Sequence, residues 1–156
     1  MNWNHLIDPL LEKPLYVVDW LPAQVPPGDE GAFSQVESFW LEGREYRRLY
    51  RKFFRILLKL NCYYDLKVSF GKKNLVNPSP EKLAGWIRRC TGKEKDYMNI
   101  FLDQDQTMII LNGDDLCLGV YGPGERLREL LSQLARGEGL FFWQTQYPPN
   151  PIPQES

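Results

Sequence analysis

Hydrophobic positions along the chain recur with two periods, and the elements they predict mix helices with strands. The clearest helical stretch is "REYRRLYRKFFRILLKLN", residues 44–61. At about 100° per residue, Tyr46, Leu49, Tyr50, Phe53, Phe54, Ile56, Leu57 and Leu60 gather within an arc of about 160°, while Arg44, Arg47, Arg48, Arg51, Lys52, Arg55 and Lys59 fill an opposite arc of about 140°. The pattern predicts an amphipathic helix that packs by its aromatic and leucine stripe and turns a basic face outward, with Asn61 suited to its C-terminal end. A shorter helix is predicted over 80–91, where Ser79 can cap, Pro80 takes the first position, Leu83, Trp86, Ile87 and Cys90 share one face, and Gly92 ends the run. Trp86 lies on that apolar stripe, which assigns it to the core rather than to ligand stacking. A third helix is predicted over 124–136, with Leu127, Leu130, Leu131 and Leu134 at helical spacing and Gly137 at the stop.

Strand patterns occupy the remainder. "LYVVDWL", residues 15–21, is rich in β-branched and aromatic residues and is closed by Pro22; "YYDLKVSF", residues 63–70, alternates; "GLFFWQ" near the C-terminal end reads as a last strand. Between them "PAQVPPGDEGA" and "KKNLVNP" read as loops, the first either a surface connection or a cover over a site. "FSQVESFWLEG" fits a helix opened by a Ser34/Glu37 capping box, and its Phe39-Trp40-Leu41 run fits a strand equally well. "YMNIFL", "TMIIL" and "LCLGVYG" form a meander over about 97–121, joined by "DQDQ" and "NGDD". Asn-Gly between apolar runs is a strong hairpin signal, because both central positions of its turn need positive φ. The implied register places Met98, Ile100, Leu102, Ile109, Leu111, Leu116, Leu118 and Val120 on one apolar face, and Tyr97, Asn99, Phe101, Met108, Ile110, Cys117 and Tyr121 on a mixed opposite face.

Together these elements predict an α+β domain over 1–146: an antiparallel sheet containing the meander, with the helices over 44–61, 80–91 and 124–136 packed on its apolar face. The Pro-rich segment 147–156 is expected to be an extended or disordered tail. The semi-apolar second face of the sheet is left for a helix, a dimer partner or a ligand to cover, so a homo-oligomer is one expectation.

At 156 residues, 43% apolar and 25% charged, the chain has the length and composition of an ordinary globular domain. Its first residues carry no basic start or unbroken apolar run, and no segment approaches the roughly 20 apolar residues of a membrane span, so a soluble cytoplasmic protein without membrane contact is expected. Cys62, Cys90 and Cys117 are odd in number and far apart, which suits reduced thiols better than a disulfide frame or a zinc site. His5 is the only histidine, which argues against Ser-His-Asp, Cys-His and His-rich metal chemistry.

Charge is segregated behind a net value of −1: residues 1–42 carry −6, residues 43–95 carry +11 and residues 96–156 carry −6. Such asymmetry marks either a basic binding surface or basic helices packed beside acidic loops of the same fold.

Asp114 and Asp115 are adjacent on a β-turn, where paired carboxylates can hold Mg²⁺ for phosphoryl transfer. Gly113-Asp114-Asp115 resembles the metal-binding hairpin of RNA-dependent polymerases, but only over those three residues, without an upstream acidic motif, and in a chain too short for a polymerase, so no family follows. Asp103 and Asp105 cannot complete the site: in a meander they lie at the other end of the 107–111 strand, on the order of 15 Å away, against a ligand reach of roughly 2–2.6 Å. The turn reading is preferred and no metal or cofactor is expected.

Three functions follow in order of preference. The first is a non-catalytic module that binds another protein, of the kind found among small bacterial regulators, adaptors and toxin-neutralising proteins. The second is nucleic-acid binding along the basic helix through Arg44, Arg48, Arg51, Arg55 and Lys59. The third is a carboxylate- or Mg²⁺-dependent enzyme. Asp115, which the register puts on the less apolar side, is the hairpin residue expected to meet a partner's basic group.

Overall fold

The structure, a computed structural model, describes residues 3–26, 28, 31–42, 45–90, 97–113 and 117–145. Local preference places the strands. β1 (Leu15–Asp19) draws on its β-branched pair, β2 (Lys67–Phe70) alternates half-buried and buried residues, and Gly71, at φ 59°, turns the chain into β3 (Lys73–Val76). The meander follows as β4 (Tyr97–Leu102), β5 (Thr107–Asn112) and β6 (Cys117–Tyr121), and β7 (Phe141–Gln144) closes the set. They make one antiparallel seven-stranded sheet in the order β3-β2-β4-β5-β6-β1-β7. The first strand thus sits between β6 and β7, far from its sequence neighbours.

One face of this sheet carries the main core. The pairs Met98–Leu111, Ile100–Ile109, Ile109–Val120 and Leu111–Leu118 set the expected register, and all these side chains are buried. Leu49, Phe53, Ile56, Leu57 and Leu60 of α3 (Glu45–Leu60) pack onto them, with Leu83, Trp86 and Ile87 of α4 (Pro80–Cys90) and Leu127, Leu131 and Ala135 of α5 (Glu125–Gly137). The α+β architecture with helices on the apolar face is the predicted one. Ser79 caps α4, its Oγ accepting the Lys82 N–H at 3.2 Å.

Several local expectations are corrected. Segment 33–43, legible as either helix or strand, is helical over its described residues: α2 spans Phe33–Glu42. The strand expected over 63–70 begins only at Lys67, because Tyr63 and Tyr64 N–H groups still donate to the Leu60 carbonyl in a turn that closes α3. "KKNLVNP" is not a loop; four of its residues form β3, an edge strand held by pairing with β2 rather than by apolar pattern, since Leu75 alone packs against the core. "DQDQ" is a short 3-10 turn, Asp103–Asp105, ended by Gln106 in the left-handed region at φ 51°.

The second face is partly covered by the N-terminal segment. Trp3, Leu6, Ile7 and Leu10 fall at i, i+3, i+4 and i+7, and a 3-10 turn (Asn4–Leu6) running into α1 (Ile7–Leu11) lays them on Phe101, Met108, Ile110 and Tyr121. Pro9 lies in the first turn of α1, where its missing N–H has no intrahelical partner to lose. Trp3 meets Phe101 edge to face, with ring centres 5.9 Å apart. Of the three ways to cover this face, the chain's own helix takes the middle of the sheet. The expected tail over 147–156 lies outside the described residues, and among those described no helix is long and apolar enough to cross a membrane.

Candidate functional site

Packing of α3 beside α5 decides the surroundings of the basic face. Glu138, one residue past α5, has a side chain only 8% exposed and sits across from the last turns of α3. Arg55 donates to it from Nε at 2.9 Å and from Nη2 at 2.7 Å, and Lys59 Nζ stands 3.5 Å from its Oε1. The Arg55 hydrogen bond, aided by both cations, holds the Glu138 carboxyl below the usual carboxylate range. Arg48 is 77% exposed and, among the described residues, makes a single 3.5 Å ion pair, with Glu45 one turn away, and Arg51 is exposed. Arg44 lies outside the described residues. The basic face is therefore two regions: exposed cations toward the start of α3, and a pair fastened to an internal carboxylate at its end.

Carboxylates of the Asp103–Asp105 turn are engaged in the same way. Lys67 forms an ion pair with Asp103, and the Tyr64 hydroxyl donates to Asp105 Oδ2 at 2.9 Å. Lys13 Nζ adds a bond to the Gln106 carbonyl at 2.6 Å, and Arg126 lies over the Tyr64 ring. Burial, reinforced by the bond to Asp105, pushes the Tyr64 hydroxyl pKa above its ordinary value. Among the described residues no group of three or more His, Cys, Asp or Glu could hold a metal ion; Asp114 and Asp115 lie outside them.

A different site emerges where β1 ends. Asp19 closes the strand and its Oδ1 accepts the Trp20 N–H at 2.8 Å, which turns the chain away from the sheet. Trp143 of β7 pairs with Val17 across the ladder, and its indole N–H donates to the Leu21 carbonyl at 2.9 Å, pinning the following loop. α2 lies over this corner: its stripe Phe33, Glu37 and Trp40, at i, i+4 and i+7, contributes Trp40 to a contact with Trp20 at 5.8 Å. Between these parts runs a groove of about 320 Å³, walled by Trp20, Phe33 and Trp143 and carrying Asp19, Glu37 and Cys117. Val25, from the Pro-rich loop, borders it.

α2 itself is unusual in the fold, since none of its described side chains is fully buried. Val36 is 41% exposed and Phe39 68%, both on the flank next to the groove-facing stripe. Sequence reading missed the groove because its residues come from four separate segments, the end of β1 with its loop, α2, β6 and β7. The only local trace is aromatic density in "DWL" and "LFFWQ". No protein-family model, no curated protein and no solved structure matches this chain.

Proposed function

We propose that this chain is a non-catalytic interaction module that binds another protein along α2 and the corner of the sheet beneath it. The observation that supports the reading is the state of α2: a ten-residue helix with no fully buried side chain among those described, presenting Val36 and Phe39 beside the Trp20–Trp40 pair. Large apolar side chains clustered at the surface and flanked by polar ones are the common anatomy of a binding site, with aromatic residues as its anchors. Nucleic-acid binding along α3 is less well supported, because Glu138 already neutralises part of the charge that phosphate would need.

Site-specific photocross-linking tests the proposal. A benzophenone side chain in place of Phe39, in the full chain and in native extract, should give a discrete heavier adduct with a second protein. The same group in place of Tyr63, which is 56% exposed on another part of the surface, should not. Adducts only with nucleic acid, or none at either position, would remove the protein-partner reading.

A further inference from the structure

The sheet ends in β3 on one side and β7 on the other. An open edge is a row of backbone donors and acceptors that another strand can complete, and natural proteins block it with charge, proline or distorted backbone. β3 is blocked in this way: Lys72 and Lys73 are exposed at its start, and Asn77, at φ 47° and followed by Pro78, ends it. β7 is not. No residue from Leu140 to Thr145 is charged, none is proline, and Phe141 is 44% exposed.

The β1–β7 ladder fixes which backbone groups face outward. Thr145 donates to the Leu15 carbonyl at 3.0 Å, and the register continues as Tyr16–Gln144, Val17–Trp143 and Val18–Phe142. Bonded and non-bonded pairs alternate along an antiparallel ladder, so Trp143 and Thr145 bond to β1, while the N–H and C=O groups of Phe142 and Gln144 point off the edge. Among the described residues no backbone group meets them.

We infer that β7 pairs with β7 of a second copy of this chain, antiparallel about a two-fold axis at Trp143, so that the two sheets join into one. In that register Phe142 of each copy faces Gln144 of the other, and every outward N–H and C=O of these residues is used. Side chains stay on matching faces, and the exposed ring of Phe141 lies beside Thr145 of the other copy. Symmetry supplies the match: an uncharged edge meets itself with no like charges opposed, whereas a foreign strand would have to fit the same spacing independently. With four strand residues a side the interface is small, so the pairing is weak and depends on concentration. Trp143 also walls the groove at the end of β1, so the axis sets two grooves side by side for the partner proposed above. The pairing itself does not depend on that partner.

Sedimentation velocity on the purified full chain, from micromolar to near-millimolar concentration, measures the association, and amide exchange by NMR locates it. The chain should pass from monomer to dimer. Exchange at the Phe142 and Gln144 amides should slow on concentrating, while Val76, whose amide points off the β3 edge, stays unchanged. Gln144→Pro removes an outward donor and no bond to β1, so it should abolish the dimer and leave the dilute chain folded. If that variant fails to fold, Gln144→Lys at the same exposed position sets two like charges diagonally across the axis and should weaken pairing several-fold, with salt restoring part of the loss. A chain that stays monomeric throughout overturns the inference, as does a dimer that leaves exchange at Phe142 and Gln144 unchanged, slows Val76 instead, or is untouched by both substitutions. Protection of the two amides only when another protein is added assigns the edge to that protein and also overturns it. A dimer without a Phe39 adduct leaves the pairing standing and removes the partner; an adduct from a monomeric chain does the reverse.

Discussion

Glu138 grips Arg55 through both of its oxygens, across 83 residues of sequence, and so ties the end of α5 to the outer face of α3. A forked guanidinium–carboxylate contact of this kind is fixed in geometry, unlike most surface ion pairs. Replacing Glu138 by Gln should cost about 1 kcal/mol at neutral pH, discounted for the partial exposure of Arg55. The carboxyl titrates lower in the folded chain than in the unfolded one, so its contribution is complete above the unfolded value of about 4.3 and disappears as pH falls through the folded value. Urea midpoints should therefore separate wild type from Glu138→Gln at pH near 7 and converge toward pH about 2. A deficit that persists unchanged in acid would show that the ion pair is not its source.

Tyr64 gives the opposite slope at the alkaline end. Burial first, and then its bond to Asp105, raise its pKa in the folded chain, so its contribution is fully present below the unfolded value of about 10 and is lost as pH climbs from there through the folded value. Tyr64→Phe should lose about 1 kcal/mol at pH near 8 through the missing hydrogen bond, and should show a shallower loss between pH about 8 and 11 than the wild-type chain. Thermal melts across that range measure both.

Trp3 is the far end of the cover on the second sheet face. Trp3→Ala should cost about 3 kcal/mol, since it removes a nearly buried ring from Phe101. It should also raise binding of an apolar fluorescent dye in the native state, as Phe101 and Met108 become accessible. A variant that melts normally without dye binding would mean the segment contributes no cover.

Asn99 is 7% exposed on the same face, and its Oδ1 has no hydrogen-bond partner among the described residues. A buried acceptor left alone is a cost that an apolar side chain of similar shape avoids, so Asn99→Leu should raise stability by about 1 kcal/mol in denaturant unfolding. Loss of stability instead would contradict an unsatisfied amide.

Where side-chain periodicity and tertiary packing agree, the sequence is readable. The alternation through Met98–Leu102, Thr107–Leu111 and Leu118–Val120 sets both register and buried face, and the leucine and aromatic stripe of α3 sets its orientation. Elements held by distant partners are less readable. β3 has one inward apolar residue and depends on β2, while Phe39-Trp40 in α2 suits either period until Trp20 arrives beside it. The spacing of Trp3, Leu6, Ile7 and Leu10 was in principle legible, but Pro9 interrupts the helical pattern in so short a segment. The groove at the end of β1 has no linear signature, since Asp19, Glu37 and Trp143 converge only once the sheet has closed.

The place of β1 between β6 and β7 has a consequence for how the chain is made. Thr145 donates to the Leu15 carbonyl across 130 residues, so the first strand emerges long before its second neighbour exists. At roughly 5–20 residues per second, β6 follows β1 by roughly 5–20 s and β7 by roughly 6–26 s, so an apolar strand waits first without a ladder and then with one edge open. The meander and its helices can assemble in the meantime from nearby contacts. Docking of β7 onto β1 is then the closing step, and until it happens the corner that forms the groove does not exist.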